Sequence, residues 1–451
     1  MSEIIYRHAL QYLKEWKEKP ERKPLIMRGA RQVGKTTLVK SFAHSFRHFI
    51  HLNLERSEHR VYFDRYTTTE DLVQAIFFQF KVASKHKDTL LFIDEIQESP
   101  AAIQQLRFLY EDYPHLHVIA AGSLLEFTLK EVKSFPVGRV EYLQLHPLNF
   151  EEYLHAQGND QALSILDEIP IPGYAHQSLL DAFHDYALLG GMPEVVQHYA
   201  QYRDLTRLNP IYEGLWTSYK DDVQKYARNA TDRKVILHVI NSAAQQIDQR
   251  ITFHGFGRSQ YGSTEVGQAL RALHEARVIQ LIYPTTQLAP PYSDDLKKRP
   301  RLQFLDTGLL NYALGIRGDM IGIDDLSPIY RGTIAQHLVT QQLMSIHYAP
   351  SYHPNFWVRE KKTSNAEVDL VYQRGARLYP IEIKAGADGR LRSLHQFVDR
   401  ADHPYAVRLY AGPLKIDEVA TIDKKPYRLL NLPYYLATRL PEYIDWFTRQ
   451  Q

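Results

Sequence analysis

The chain has 451 residues, 44% hydrophobic and 24% charged, so wholesale disorder is excluded and about three domains are expected. Lys and Arg total 54 against 52 for Asp and Glu, a net charge of +2, which excludes both a strongly basic nucleic-acid coat and an acidic tail but not a local basic patch. Cysteine is absent, which removes disulfides, Cys-ligated zinc, iron–sulfur clusters and thiol nucleophiles together. The N-terminal stretch MSEIIYRHALQYLKEWKEKP mixes charges of both signs and lacks a signal-peptide core. Nowhere do 18 apolar residues run consecutively, so a cytoplasmic protein with no membrane span is expected.

Taken in chain order, Ile4, Ile5, His8, Ala9, Tyr12, Leu13 and Trp16 recur at helical spacing and predict a first helix. Leu25, Ile26 and Met27 form a short apolar strand, followed by a Gly-rich turn and a helix over 36–42. Further strands are expected at 48–52, 90–93, 117–121 and 141–145, with helices between them. Strands alternating with helices predict a parallel, doubly wound sheet. After Pro147 the texture becomes helical, to about Tyr283. From about Arg301 it becomes α+β, with helices near 307–314 and 333–346, strands at 356–359, 367–372 and 378–385, a helix near 391–400 and a strand at 405–410. The expected class is multidomain α/β: a parallel-sheet domain over 1–150, a largely helical region over 151–300, and an α+β domain over 301–451.

The sharpest motif is GARQVGKTT, made of Gly29, Ala30, Arg31, Gln32, Val33, Gly34, Lys35, Thr36 and Thr37. It fits Gly-x4-Gly-Lys-Ser/Thr without a mismatch, with a strand before it and a helix after it. Glycines let backbone N–H groups turn toward phosphate oxygens, and the helix opening at Lys35 points its positive end at the anion. Lys35 would reach the β and γ phosphates, and the Thr36 hydroxyl would ligate Mg²⁺. Downstream, the apolar strand LLFI ends in Asp94 and Glu95, at the carboxyl end where open α/β sheets bind ligands. Asp94 would hold Mg²⁺ through water, and Glu95 would act as base toward the attacking water, so hydrolysis is predicted. A third strand ends in Gly122-Ser123, which makes Ser123 a candidate to touch the γ-phosphate or the water; Gly-Ser is also an everyday turn. Arg139 is a candidate source of charge to phosphates, in its own subunit or a neighbour's; the alternative is a surface arginine after a turn.

With these motifs, FIDEIQ from Phe92, AGSLLEF from Ala121, Gly138-Arg139 and LHPLNFEEY from Leu145, the chain resembles the prokaryotic AAA-type ATPases of the AAA_14 family. YALLGGMP from Tyr186 and the distal half resemble the DUF4143 region that accompanies them. The resemblance implies an AAA+/STAND-like P-loop NTPase core over 1–150 using ATP and Mg²⁺, a helical and winged-helix region over 151–300, and an α+β restriction-endonuclease-like domain over 301–451, related to the PD-(D/E)XK nuclease fold. ATP enters by resemblance alone, since no base-reading motif separates it from GTP.

Residues 251–283 read as turn, helix and strand, the layout of a winged helix-turn-helix, with 262–277 as its recognition-type helix. That helix carries Arg271, His274 and Arg277 but also Glu265 and Glu275, so DNA contact and a purely structural lid both fit. The run Lys297, Lys298, Arg299, Pro300, Arg301 is read as a basic, solvated loop. Distally, Asp369 lies on one expected strand and Glu382 with Lys384 on the next. Period-2 alternation puts Glu382 and Lys384 on one face, with Asp369 able to face them. This set matches the Asp, Glu-x-Lys core of the nuclease fold, and two carboxylates with a lysine can bind a divalent ion and orient water against phosphate. Gln336 stands where the fold's helical acid is expected, which counts against metal binding, and Gln396 on the following helix suits the fold. The readings are therefore an ATPase that switches its attached domains, an ATP-gated DNA nuclease, or a non-enzymatic switch for DNA or protein partners, with a homo-oligomer compatible with each.

Overall fold

The structure is a computed structural model describing residues 5–83, 88–123, 138–225, 227–247, 249–316, 333–360, 366–386 and 391–450. The chain divides into two compact units. The first comprises Met1–His146 with Glu275–Arg277 and His347–Tyr352; the second comprises Pro147–His274, Val278–Ile346 and His353–Gln451.

The first unit runs α1 (Ala9–Glu18), β1 (Leu25–Arg28), α2 (Lys35–Ala43), β2 (His48–Asn53), α3 (Ser57–Arg65), α4 (Thr69–Gln79), β3 (Thr89–Asp94), α5 (Pro100–Asp112), β4 (His117–Ala121) and β5 (Glu141–Gln144). The strands form one parallel sheet in the order β2-β3-β4-β1-β5. Every residue of β3 and β4 is buried, whereas β2 at the edge is only half-buried. This is why the central strands read as continuous apolar runs: a parallel sheet covered on both faces leaves no side for polar residues. Capping starts the helices where the sequence punctuates. Thr68 accepts from the Asp71 N–H ahead of α4, and Ser99 accepts from the Ala102 N–H with Pro100 opening α5.

The second unit begins with helices α6 (Phe150–Ala156), α7 (Asp160–Leu166), α8 (His176–Leu189), α9 (Pro193–Tyr202), α10 (Asn209–Gln224), α11 (Ala230–Ala243) and α12 (Ser263–Glu275). There follow β6 (Ile279–Ile282), β7 (Pro284–Thr285), β8 (Arg301–Phe304), α13 (Thr307–Leu314), α14 (Thr333–Ser345), β9 (Asn355–Val358), β10 (Glu367–Arg374), β11 (Arg377–Ile383), α15 (Arg392–Val398), β12 (Tyr405–Tyr410), β13 (Lys415–Ala420), β14 (Pro426–Pro433) and α16 (Leu440–Arg449). Strand β6 pairs antiparallel with β8 as a two-stranded ribbon. The others build a mixed seven-stranded sheet in the order β13-β14-β12-β11-β10-β9-β7.

The chain does not divide at residue 300. The ribbon joins Ile279–Ile282 to Arg301–Phe304 across that point, and β7 is the edge strand beside β9. The regions expected as 151–300 and 301–451 are therefore one compact unit, and hydrogen-bonded strands from both sides are the reason. The last two strands and the C-terminal helix were not anticipated from the sequence. α16 buries Leu440, Tyr443, Ile444 and Phe447, an apolar stripe at helical spacing.

A buried polar junction ties four sequence segments of this unit together. The Tyr186 hydroxyl donates to Leu148 O (2.7 Å) and accepts from Gln341 Nε2 (3.0 Å) and Gln342 Nε2 (2.9 Å). Gln342 Oε1 accepts from the Phe150 N–H, and Gln341 Oε1 from the Thr307 N–H. Asp306 accepts from the Gly191 N–H at 2.6 Å and the Leu309 N–H at 3.0 Å. The LHPLNF and YALLGGMP motifs meet here, so their residue choices are explained by close packing and mutual hydrogen bonding of buried groups.

Burial drives the Asp306 carboxyl up to about 6, against the pull of the hydrogen bonds from Gly191, Leu309 and Gln341. A carboxyl raised in the folded state adds stability that is fully present below its ordinary value of 3.8 and is lost as pH rises through about 6. The thermal midpoint should therefore carry a downward component between about pH 4 and 6 that Asp306→Asn flattens. Melts at closely spaced pH values check this, and an unchanged slope in the variant would assign the titration elsewhere.

Candidate nucleotide site

The loop between β1 and α2 has the backbone that the motif demands. Gly34 sits at φ 94°, ψ 20°, in the left-handed region, and caps the start of α2. Gly29 has φ 150°, and a Cβ there would lie 2.5 Å from Leu145 O, so only glycine fits at the exit of β1. Ala30 and Val33 are buried, while Gln32 and Thr37 are exposed. Arg31 lies 3.8 Å from Glu55. Lys35 is 7% exposed, and its Nζ donates to Gly29 O (3.0 Å) and Ala30 O (2.8 Å), carbonyls of its own loop. Burial pushes the Lys35 ammonium down to about 8, with Glu95 and Asp94 pulling the other way.

The second motif meets the first. Thr36 Oγ1 donates to Asp94 Oδ2 at 2.9 Å. Glu95 follows in the left-handed region at φ 52°, and its Oε2 accepts from Gln97 Nε2 at 2.7 Å. Burial raises the Glu95 carboxyl, while Gln97 and Lys35 oppose the rise.

Sheet order places Ser123. Strand β4 lies between β1 and β3, and Ala121 is level with Met27 on one side and Asp94 on the other. The residues just beyond Ala121 therefore stand between the phosphate loop and the acidic pair, and Ser123 is buried there. A Cβ at Gly122 would lie 2.4 Å from Gln97 Oε1, so a side chain there would displace the Gln97 amide. Residues 124–127 of the AGSLLEF motif lie outside the described residues.

Arg139 does not join this group. It precedes β5, whose Glu141 is level with Leu25 at the beginning of β1, whereas the phosphate loop leaves the opposite end of that strand. Its guanidinium instead pairs with Glu111 near the C-terminus of α5 at 3.0 Å. The expectation that Arg139 charges the phosphates of its own chain is corrected by this strand direction.

Two residues missed in the sequence support the site. Arg7 is buried and donates to Val33 O (2.8 Å) and His146 O (2.6 Å), bracing the phosphate loop from outside it. His51, on β2, places Nε2 3.3 Å from Asp94 Oδ2. Neither carries a motif, because the contacts depend on strand and helix neighbours far apart in sequence.

Residues 21–154 match the family model AAA_14, an AAA domain, and residues 331–424 match DUF4143, a domain of unknown function. The chain carries an AAA domain of the AAA_14 family and a DUF4143 domain. Residues 180–320 match another domain of unknown function, DUF8612, so the YALLGGMP motif falls in that segment rather than in DUF4143. A Haemophilus influenzae protein described as uncharacterized is 22% identical over 306 residues, 65% of this chain and 70% of its own. Among solved structures, a Walker-type ATPase of Pyrococcus abyssi is 16% identical with a TM-score of 0.45, over 69% of this chain and 96% of that one. The Aeropyrum pernix ORC1 protein, solved with DNA, is 13% identical with a TM-score of 0.30, over 70% and 94%. Likenesses this loose leave the fold to be read from the sheet itself. Among the described residues no helix is long and apolar enough to cross a membrane.

Within the DUF4143 domain, β10 and β11 pair antiparallel with Leu370 opposite Ile381. One step further along that register, Asp369 stands opposite Glu382, so the predicted juxtaposition forms. Asp369 Oδ2 accepts from the Ile383 N–H at 2.8 Å, and Lys384 Nζ lies 2.6 Å from Glu382 Oε1. Burial raises both carboxyls; like-charge repulsion from Asp369 raises Glu382 further and Glu367 does the same to Asp369, while Arg301 and Lys384 oppose the rise at both. Gln336 Nε2 reaches Asp369 O at 3.5 Å, while Gln396 accepts from Arg359 at 3.0 Å.

Arg301 does not lie in the solvated basic loop that its run of neighbours predicts. It lies on β8, is 8% exposed, and pairs with Glu367 while donating to Asp369 O at 3.3 Å. The ribbon carries it inward, leaving Lys297 and Arg299 exposed. The carboxylates therefore already face a fixed cation. Among the described residues no group of three or more His, Cys, Asp or Glu side chains is arranged to hold a metal ion. The distal residues present do not fit the divalent ion that a PD-(D/E)XK-like reading implies.

Proposed function

We propose that the AAA domain hydrolyses ATP with Mg²⁺. The observation that carries this reading is the 2.9 Å bond between Thr36 and Asp94, beside a buried Lys35 and adjoining Glu95. Thr36 Oγ1 and Asp94 are hard oxygen donors suited to Mg²⁺ and are the residues that would hold it, Asp94 through water. When bound, the ion would neutralise phosphate charge.

The protein's own groups account for the remaining work. Lys35 exchanges its two loop carbonyls for β and γ phosphate oxygens, while the loop N–H groups and the N-terminal end of α2 receive the anion. Glu95 accepts the proton of the attacking water with one oxygen while Gln97 fixes the other. Ser123, just beyond the end of β4, contacts the γ-phosphate or that water.

Glu95→Gln should therefore keep nucleotide affinity close to wild type and lower turnover by roughly 10²–10⁴-fold, the usual contribution of a positioned base. Steady-state phosphate release together with a fluorescent-nucleotide titration measures both. Unchanged hydrolysis would move the base to another residue.

A further inference from the structure

The basic run ending at Arg301 and the distal acidic set meet in one cluster that the nucleotide reading leaves unused. Three carboxylates, Glu367, Asp369 and Glu382, face three basic groups, Arg250, Arg301 and Lys384. Arg250 and Arg301 both pair with Glu367, and Arg301 Nη2 stands 3.8 Å from Asp369 Oδ1. The Arg301 guanidinium also lies over the Phe356 ring, 4.6 Å from its centre, which holds it in place. Arg301 belongs to the segment that matches DUF8612, whereas the carboxylates belong to the DUF4143 domain.

We propose that Arg301 is the built-in counter-cation of this acidic cluster, occupying the place of a divalent ion and making the distal site unable to bind metal or to cleave nucleic acid by a metal-dependent route. Charge balance is the first reason. Each acidic group already has a basic group beside it, and a divalent ion would add two further positive charges in a mostly buried setting. Geometry is the second. The guanidinium fork spans Glu367 and the Asp369 main-chain and side-chain oxygens, so it already stands against one carboxylate of the Asp369 and Glu382 pair. Gln336, neutral where a further acid would strengthen a metal site, instead donates to Asp369 O.

One buried oxygen, Glu382 Oε2, has no hydrogen-bond partner among the described residues. Removing the guanidinium should leave that oxygen and Asp369 Oδ1 free to take a cation. The proposal thus predicts a gain of function rather than a loss.

The experiment is a Mn²⁺ titration of the full chain without nucleotide, by calorimetry and by electron paramagnetic resonance, with cleavage of plasmid DNA assayed alongside. In the wild type, Asp369→Asn should leave the Mn²⁺ isotherm unchanged, and no Mn²⁺-dependent nicking should appear. Arg301→Gln should gain one Mn²⁺ site, with an affinity at least about tenfold above any wild-type binding. The double variant Arg301→Gln/Asp369→Asn should lose that site, and Arg301→Gln/Asp94→Asn should keep it. Two results would overturn the proposal: a wild-type Mn²⁺ equivalent that disappears in Asp369→Asn, or a folded Arg301→Gln protein that gains no site. If Arg301→Gln fails to fold, the comparison of wild type with Asp369→Asn decides alone.

Discussion

Lys35→Ala should abolish nucleotide binding while leaving the fold in place, with affinity falling by at least about 100-fold, or roughly 3 kcal/mol. The ammonium is the buried cation of the loop, held against Gly29 O and Ala30 O, so its charge is available to phosphate at low dielectric. The loop itself does not depend on it. Gly34 holds the left-handed turn, Gly29 permits the close approach to Leu145 O, and Arg7 fastens Val33 O from outside. A fluorescent-nucleotide titration beside a thermal melt separates the two effects. A variant that still binds nucleotide would remove Lys35 from its assigned role, and a variant that melts far below wild type would make the loss one of folding.

The largest effect on stability should come from Gly191→Ala. A Cβ at Gly191 would stand 2.0 Å from Leu148 O and 2.9 Å from Leu148 C and N, all backbone atoms that cannot rotate away. The same residue exchanges hydrogen bonds with the junction, accepting from the Leu148 N–H at 2.7 Å and donating to Asp306 at 2.6 Å. Forcing these strands of chain apart should cost about 3 kcal/mol or more and break a buried polar network as well. Gly214→Ala, in the interior of α10 with nothing within 4 Å of the added methyl, is the control and should be neutral or slightly stabilising. Urea unfolding of the two variants tests the contrast. A Gly191→Ala protein as stable as wild type would show that the junction yields.

The nucleotide site was legible because its chemistry is local. Gly29 to Gly34 form one continuous loop running into α2, and Asp94 ends β3 with Glu95 next, so residue type and spacing place these groups together. Strand identities were legible for a related reason: β3 and β4 are buried throughout and carry continuous apolar runs, Leu90–Ile93 and Val118–Ala121, as central parallel strands do. Ser123 could be placed only once β4 was found between β1 and β3. Arg139 stood near the same motifs in sequence, yet strand direction put it at the other end of the sheet. Arg7 and His51 were invisible because each acts through a contact made by folding.

In the distal half, alternation along β10 and β11 sufficed to bring Asp369, Glu382 and Lys384 together. It did not disclose Arg301, which comes from β8 and changes the meaning of the cluster from metal cage to ion-pair network. The division near residue 300 failed similarly, since β6–β8 pairing and the β7–β9 contact join segments whose textures differ.

By itself, then, the sequence determined the phosphate loop, its acidic partner strand, the parallel sheet that carries them, and the pairing of the distal acids. These rest on spacing within one loop or strand, where backbone periodicity sets which side chains meet. Tertiary structure alone decided which arginines belong to which carboxylates, where the chain divides, and why the Gly190-Gly191 motif exists. Those depend on long-range packing, in which burial makes each charge take the nearest opposite charge and leaves no room for even one added methyl.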